Sequence, residues 1–221
     1  MHIKPEAVIF DLDGTLIDNN AYHIEAWKVF YKKIGREFTM DEYTTKMNGR
    51  INRDIFNYIF NRQVTDNEEQ NFTNEKEALY REYYAPHIKP IPGLTDLLQQ
   101  IKQAAIPMAI ATSGWPVNID FMFQHVPIKQ YFNNVVDATG ITNSKPYPEI
   151  FLKAAAAVSA KPVNCIAFED SVAGVRSAKA AGMKVVALTT THTKEDLHEA
   201  DVIIKDYTEI NLSTLLQLMQ A

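Results

Sequence analysis

The stretch "AVIFDLDGTLID", residues 7–18, decides how the chain is to be read. Ala7-Val8-Ile9-Phe10 is a short run apolar on both faces, as a strand in the middle of a covered parallel sheet requires. It stops abruptly at Asp11 and Asp13. Residues i and i+2 of a strand share a face, so two like charges are set side by side. Such a pair is tolerable where a cation lies between the carboxylates or where one of them is protonated.

Further short apolar runs follow at 107–112 (PMAIAT), 134–138 (NVVDA), 165–168 (CIAF), 184–188 (KVVAL) and 201–204 (DVII). Helical stripes separate them: Leu94, Leu97, Leu98 and Ile101; Ile150, Ala154 and Val158; Leu212, Leu215, Leu216 and Met219. Pro148 is placed to start the second of these, and Gly182 stands where the helix "SVAGVRSAKAA" needs a C-terminal cap. This alternation predicts an α/β fold, a doubly wound Rossmann-like parallel sheet. Residues 19–87 break the rhythm: they hold helical patterns and no clear strand, and they end at "HIKPIPG", where two prolines stop a helix. The expected organisation is therefore an α/β core domain from 1–18 and 88–221 with an inserted α-helical cap domain from 19–87. Its hinges are expected near Asp18–Asn20 and His87–Gly93.

At 221 residues the chain has room for such a core and one smaller insertion. A net charge of −5 leaves no electrostatic footprint for nucleic acid or an anionic membrane surface. No segment reaches the roughly eighteen apolar residues of a membrane span, and the N-terminal "MHIKPEAVIF" lacks signal-peptide architecture. The single cysteine, Cys165, lies in an apolar run and reads as a core residue of a protein kept reduced; the cytoplasm is the expected compartment. His2, His87, His125, His192 and His198 show no metal-ligand spacing.

In open α/β sheets ligands bind beyond the carboxyl ends of the strands. Those ends carry Asp11 and Asp13, then Thr112-Ser113-Gly114, then Lys145 in "SKPYPEIF", then Glu169-Asp170. Each alone has a plain reading as a turn, a cap or a solvated lysine. Together they place carboxylates, hydroxyls and a lysine on one rim. Oxygen-only hard ligands suit Mg²⁺, which would relieve the repulsion between Asp11 and Asp170. Phosphoryl transfer needs mainly positioning and charge neutralisation, which these residue types provide. Asp11 would attack phosphorus, and Asp13, held protonated, would serve as acid and then as base.

These four clusters resemble the motifs of the haloacid dehalogenase superfamily, consisting mostly of Mg²⁺-dependent phosphatases and phosphomutases. "FDLDGTLID" resembles the nucleophile motif, "ATSG" the hydroxyl motif, "SKPYPEIF" the lysine motif and "AFEDSVAGVRSAKAAG" the acidic motif. The helical insertion resembles the small cap of the β-phosphoglucomutase-like subfamily. The resemblance implies Asp11 as nucleophile, Asp13 as general acid/base, and Thr112, Ser113 and Lys145 as phosphate-binding residues. It implies Mg²⁺ held by Asp11, the Asp13 backbone carbonyl and Asp170, with Glu169 as a further or outer ligand. A small phosphorylated substrate and a monomer are also implied. Dehalogenases need no aspartate at the position of Asp13, which favours phosphate chemistry. A binding protein without turnover would be expected to lose Asp13 or Lys145.

The candidate substrate-side residues are His23, Trp27, Asn48, Arg50, Arg53 and Trp115. "NNAYHIEAWKVF" is similar to the mutase segment in which a histidine and a tryptophan face the site. The Ser-Lys pair with which mutases help to grip a second phosphate is replaced by Gly114-Trp115, and a cap lysine by Asn48. Hydrolysis of a sugar or polyol phosphate is therefore expected, with a sugar phosphomutase as the alternative.

Overall fold

The computed structural model describes residues 4–220, so His2 lies outside the described residues. The strands are β1 (Ala7–Phe10), β2 (Met108–Ala111), β3 (Asn134–Val136), β4 (Cys165–Glu169), β5 (Lys184–Leu188) and β6 (Val202–Ile204). They form one sheet in the order β3-β2-β1-β4-β5-β6, and every pairing is parallel. Between β1 and β2 lie α1 (Asn20–Lys33), α2 (Met40–Glu42), α3 (Asn52–Phe60), α4 (Asp66–Tyr84) and α5 (Leu94–Gln103). The rest of the chain adds α6 (Pro116–His125), α7 (Glu149–Ala157), α8 (Val172–Ala180) and α9 (Leu212–Leu218). This is the expected doubly wound α/β fold.

The apolar runs explain themselves in the sheet. All residues of β1, β2 and β4 are buried because helices cover both faces. Val8 and Phe10 point to the side packed by Leu94, Leu98 and Leu215, and Ala7 and Ile9 to the side packed by Phe151, Ala154 and Ala178. Phe10 and Phe168 are register partners across β1 and β4, and their rings stack at 4.8 Å. Cys165 is fully buried in β4.

The sequence-based bounds differ from the structure where the sheet ends. β3 and β6 are three residues each, shorter than the expected 134–138 and 201–204, and only partly buried, because each has a neighbour on one side alone. Pro148 is the N-cap of α7 and not its first helical residue, while Val158 is its C-cap. Gly182 does close α8: at φ +84° its N–H bonds to the Lys179 carbonyl, and the Met183 N–H bonds to that of Ala178. That left-handed conformation is costly for any residue with a Cβ.

The four helices α1 to α4, with a single π-turn at Tyr43–Met47, build a separate apolar cluster around Trp27, Phe30, Tyr31, Phe56 and Ile59. A capping box between Thr65 and Glu68 starts α4. The two connecting segments lie side by side: Ile17 pairs with Pro90, and the Ile91 N–H donates to the Leu16 carbonyl at 3.0 Å. Among the described residues no helix is long and apolar enough to cross a membrane.

Candidate active site

The carboxyl ends of β1, β2 and β4 open onto one rim beside the point where strand order reverses. Asp11 follows β1, Thr112 follows β2, and Glu169 closes β4 with Asp170 next to it. Lys145 reaches the rim from the segment between β3 and α7. Its Nζ donates to Asp11 Oδ1 at 2.6 Å and to Glu169 Oε1 at 2.5 Å. Burial alone would lower the Lys145 pKa, but the charges of Asp11 and Glu169 hold the ammonium above the usual lysine range.

Carboxylate oxygens of Asp11, Glu169 and Asp170 lie within 4.8 Å of one another. Burial pushes the Asp11 carboxyl well up, against the pull of Lys145 and with the repulsion of Glu169 and Asp170. Burial and the Glu169 charge raise Asp170 to about 8. One ammonium thus faces three carboxyl groups, and the deficit of positive charge falls on Asp11 and Asp170. A hard, oxygen-liganded divalent cation fits that deficit and that donor set. Glu169 has little left to offer it: Oε2 accepts from the Asp170 and Ser171 N–H groups, both at 2.9 Å, and from Ser171 Oγ at 3.0 Å.

Asp13 stands among hydrogen-bond donors and cations. Burial raises its pKa, but the nearby His23 ring, the hydrogen bond from Asn19 and the charge of Lys76 outweigh burial and hold it below the usual carboxylate range. Asn19 Nδ2 donates to Asp13 Oδ1 at 2.5 Å, and His23 Nε2 stands 3.7 Å from the same oxygen. Lys76 Nζ lies 2.7 Å from His23 Nδ1; an ammonium has only donors, so Nδ1 accepts and a neutral His23 carries its proton on Nε2, towards Asp13. Glu77 completes the set, 3.0 Å from Lys76 and accepting from Asn118 at 2.7 Å. Tyr80 stacks on His23 with centroids 3.8 Å apart.

These groups line a cavity of about 70 Å³ between the rim and the helical insertion. One water occupies ~10–15 Å³, so the space between the rim and the insertion has room for a few waters. His23, Asn48, Arg50 and Trp115 all line it, as does Trp27, which also belongs to the insertion's apolar cluster. The Arg50 guanidinium has no hydrogen-bond or ion-pair partner among the described residues. Arg53 is not brought to the cavity: it is turned outwards by ion pairs with Asp66, at 2.7 Å, and Glu69. Thr112 Oγ1 faces the rim and accepts from the Gly114 N–H at 2.9 Å, whereas Ser113 Oγ donates to the Gly49 carbonyl of the insertion at 2.9 Å.

Lys76, Glu77, Asn118, Asn19 and Asn20 are cavity or rim residues that nothing in the linear sequence singles out. Lys76 and Glu77 sit in a charged helix whose other charges are solvated, and 53 residues separate His23 from Lys76. The one available signal was Asn19-Asn20 at a helix start, which reads as capping, yet the Asn19 side chain makes no cap bond.

A family model described as haloacid dehalogenase-like hydrolase matches residues 8–188. The chain is 30% identical over 212 residues to the validoxylamine A 7'-phosphate phosphatase of Streptomyces hygroscopicus subsp. limoneus, covering 93% of this chain and 95% of the relative. It is 30% identical over 218 residues to the β-phosphoglucomutase of Bacillus subtilis (strain 168), covering 95% and 93%. The crystal structure of an HAD hydrolase, family IA, variant 3, from Entamoeba histolytica HM-1:IMSS superposes with a TM-score of 0.86 at 30% identity, covering 97% of this chain and 99% of that one.

Proposed function

The chain belongs to the haloacid dehalogenase-like hydrolase family, and from that premise we propose that it is a Mg²⁺-dependent phosphatase of small phosphorylated metabolites, sugar or polyol phosphates. The observation that carries this reading is the Asp11–Lys145–Glu169–Asp170 cluster at the floor of a cavity that His23 and Asp13 enter from one side.

Asp11, the Asp13 backbone carbonyl and Asp170 would hold Mg²⁺, with Glu169 orienting Lys145 and the β4–α8 turn from outside. When bound, the ion neutralises the carboxylates and the incoming phosphoryl oxygens. Asp11 Oδ attacks phosphorus, the bond to the leaving oxygen breaks, and an aspartyl phosphate forms. Lys145 Nζ and Thr112 Oγ1 bind phosphoryl oxygens. Asp13, ionised without substrate, gains proton affinity as the phosphate charge arrives, takes up a proton from solvent and gives it to the leaving oxygen. It next takes a proton from the water that hydrolyses the intermediate. His23, fixed by Lys76 and Tyr80, holds the Asp13 carboxylate in place. Residues 19–87 act as a cap that closes over the rim and excludes water.

Hydrolysis is favoured over a mutase because the segment after Thr112 offers Gly114 and Trp115 and no cation to a second phosphate. Arg50, which lines the cavity and has no side-chain partner among the described residues, favours the second reading, a sugar phosphomutase. Phosphorus NMR of β-glucose 1-phosphate with Mg²⁺ and a trace of the bisphosphate separates the two, with Asp11→Asn as control. Free phosphate, absent with the variant, is the expected product of this substrate or of a panel of polyol phosphates. Glucose 6-phosphate without free phosphate would establish the mutase.

A further inference from the structure

Asn20, the first residue of α1, is buried between the rim and the helical insertion. Its Nδ2 donates to Asp170 Oδ2 at 3.2 Å and to Thr191 Oγ1, which itself donates to the same carboxylate oxygen. Its Oδ1 faces the other way and accepts from the Tyr43 hydroxyl at 3.1 Å and from Asn48 Nδ2 at 3.3 Å. Tyr43 and Asn48 belong to the π-turn of the insertion and the residue that caps it. Asn48 Oδ1 in turn meets His192 Nε2 of the core at 3.2 Å.

One carboxamide therefore joins an acidic rim residue to the part of the insertion that covers it. The local backbone is shaped for this contact. Gly14 has φ +75°, and a Cβ there would collide with both Asp170 Oδ2 and Asn20 Nδ2. Both ends of the amide are used, so Asn20 cannot turn over without pairing Nδ2 with the Tyr43 and Asn48 donors and Oδ1 with the Asp170 carboxylate. The orientation of the Asp170 carboxylate and the position of the Tyr43–Asn48 segment are thereby set together.

We propose that Asn20 is a positioning residue that couples cap closure to metal binding: a closed cap holds Asp170 ready for the ion, and the bound ion holds the cap closed. The inference rests on the metal site of the proposed function. Coupling is reciprocal, so a cap group that touches no metal ligand must still change metal affinity. Tyr43 is that group. Its hydroxyl meets Asn20 and Asn48 and no rim carboxylate.

The test titrates Mn²⁺ into the full-length protein by electron paramagnetic resonance while following tryptophan fluorescence. The chain has two tryptophans, Trp27 in the insertion and Trp115 in the core, and both line the cavity. Tyr43→Phe, which keeps the buried ring, should weaken Mn²⁺ binding about threefold to tenfold, the scale of one neutral hydrogen bond, and reduce the fluorescence change on binding. Asn20→Ala should weaken binding at least as much and abolish that change. Wild-type affinity in Tyr43→Phe would overturn the coupling, leaving Asn20 as local support for Asp170 if Asn20→Ala alone is impaired. A wild-type protein that binds no Mn²⁺ would overturn the metal site itself and the coupling with it.

Discussion

Lys145 is the side chain on which the charge balance of the rim rests. It is 1% exposed and shared between Asp11 and Glu169. Removing one member of a buried ion pair leaves uncompensated charge, so Lys145→Met should destabilise the metal-free protein by about 3–5 kcal/mol in urea titrations, with part of the loss recovered at acid pH. Asp11→Asn, which keeps the shape and removes the proposed nucleophile, should lower turnover by roughly 10⁴-fold or more. Asp170 sets the pH dependence of the site. Its pKa in the fold, about 8, lies above its unfolded value of 3.8. The folded state thus binds an extra proton between those values, which stabilises the metal-free protein at acid pH and is lost as pH rises through 8. Metal binding must expel that proton, so Mg²⁺ affinity and the Mg²⁺-induced rise in Tm should both increase from pH 6 to pH 8. A calorimetric Kd independent of pH over that interval would show that Asp170 is ionised before the ion arrives.

Asp11, Thr112 and Asp170 were each legible because chemistry-bearing residues interrupt apolar runs at strand ends, a contrast that survives in one dimension, and Lys145 was legible in the stretch "SKPYPEIF" ahead of a helix. Lys76 and Glu77 were not. They stand in "NEEQNFTNEKEALYREYY", where charge is the norm, and burial is what sets them apart: 2% and 4% exposure. The charge state of Asp13 was likewise out of reach. It depends on Asn19, His23 and Lys76 converging on one carboxylate, and Lys76 arrives from a different helix.

Among the elements, β1 and β4 carry the most consequence, since they hold Asp11 and Glu169 in register. Phe10→Ala would remove a fully buried ring stacked on Phe168 and leave a void. The expected cost is about 3–5 kcal/mol, read as a lower urea midpoint at unchanged slope. The capping box of α4 is exposed and independent of the sheet; Thr65→Ala should cost about 1 kcal/mol and leave the rim intact. Central strands were readable from sequence because both of their faces are apolar. The edges β3 and β6 were overestimated because an apolar run does not say how many neighbours it will have.

The cavity is narrow and lies where insertion and core meet. Besides the Asn20 network, two hydroxyls of the core hold the insertion down: Ser113 Oγ on the Gly49 carbonyl, and Ser144 Oγ on the Asp54 carboxylate. Neither tie is built into an apolar cluster, and each is worth on the order of 1 kcal/mol. The Ser113→Ala, Ser144→Ala double variant should therefore raise amide hydrogen exchange across residues 43–54 by roughly thirtyfold while β4 stays protected. Equal exchange in both proteins would locate the closing force in the apolar contacts instead.

The alternation of apolar runs and amphipathic stripes was enough to determine the α/β class, and the residues that end those runs were enough to point to the rim. Both are local patterns: a strand's burial and the residue at its end are written in adjacent positions. What tertiary structure alone decided is the other wall of the cavity. The His23–Lys76–Glu77–Asn118 chain, the outward turn of Arg53 and the span of Asn20 from Asp170 to Tyr43 join residues far apart in the chain. They come together because the insertion packs on the core, partly through Ala26, Tyr80 and Tyr84, and the polar partners between them are chosen by how the two dock.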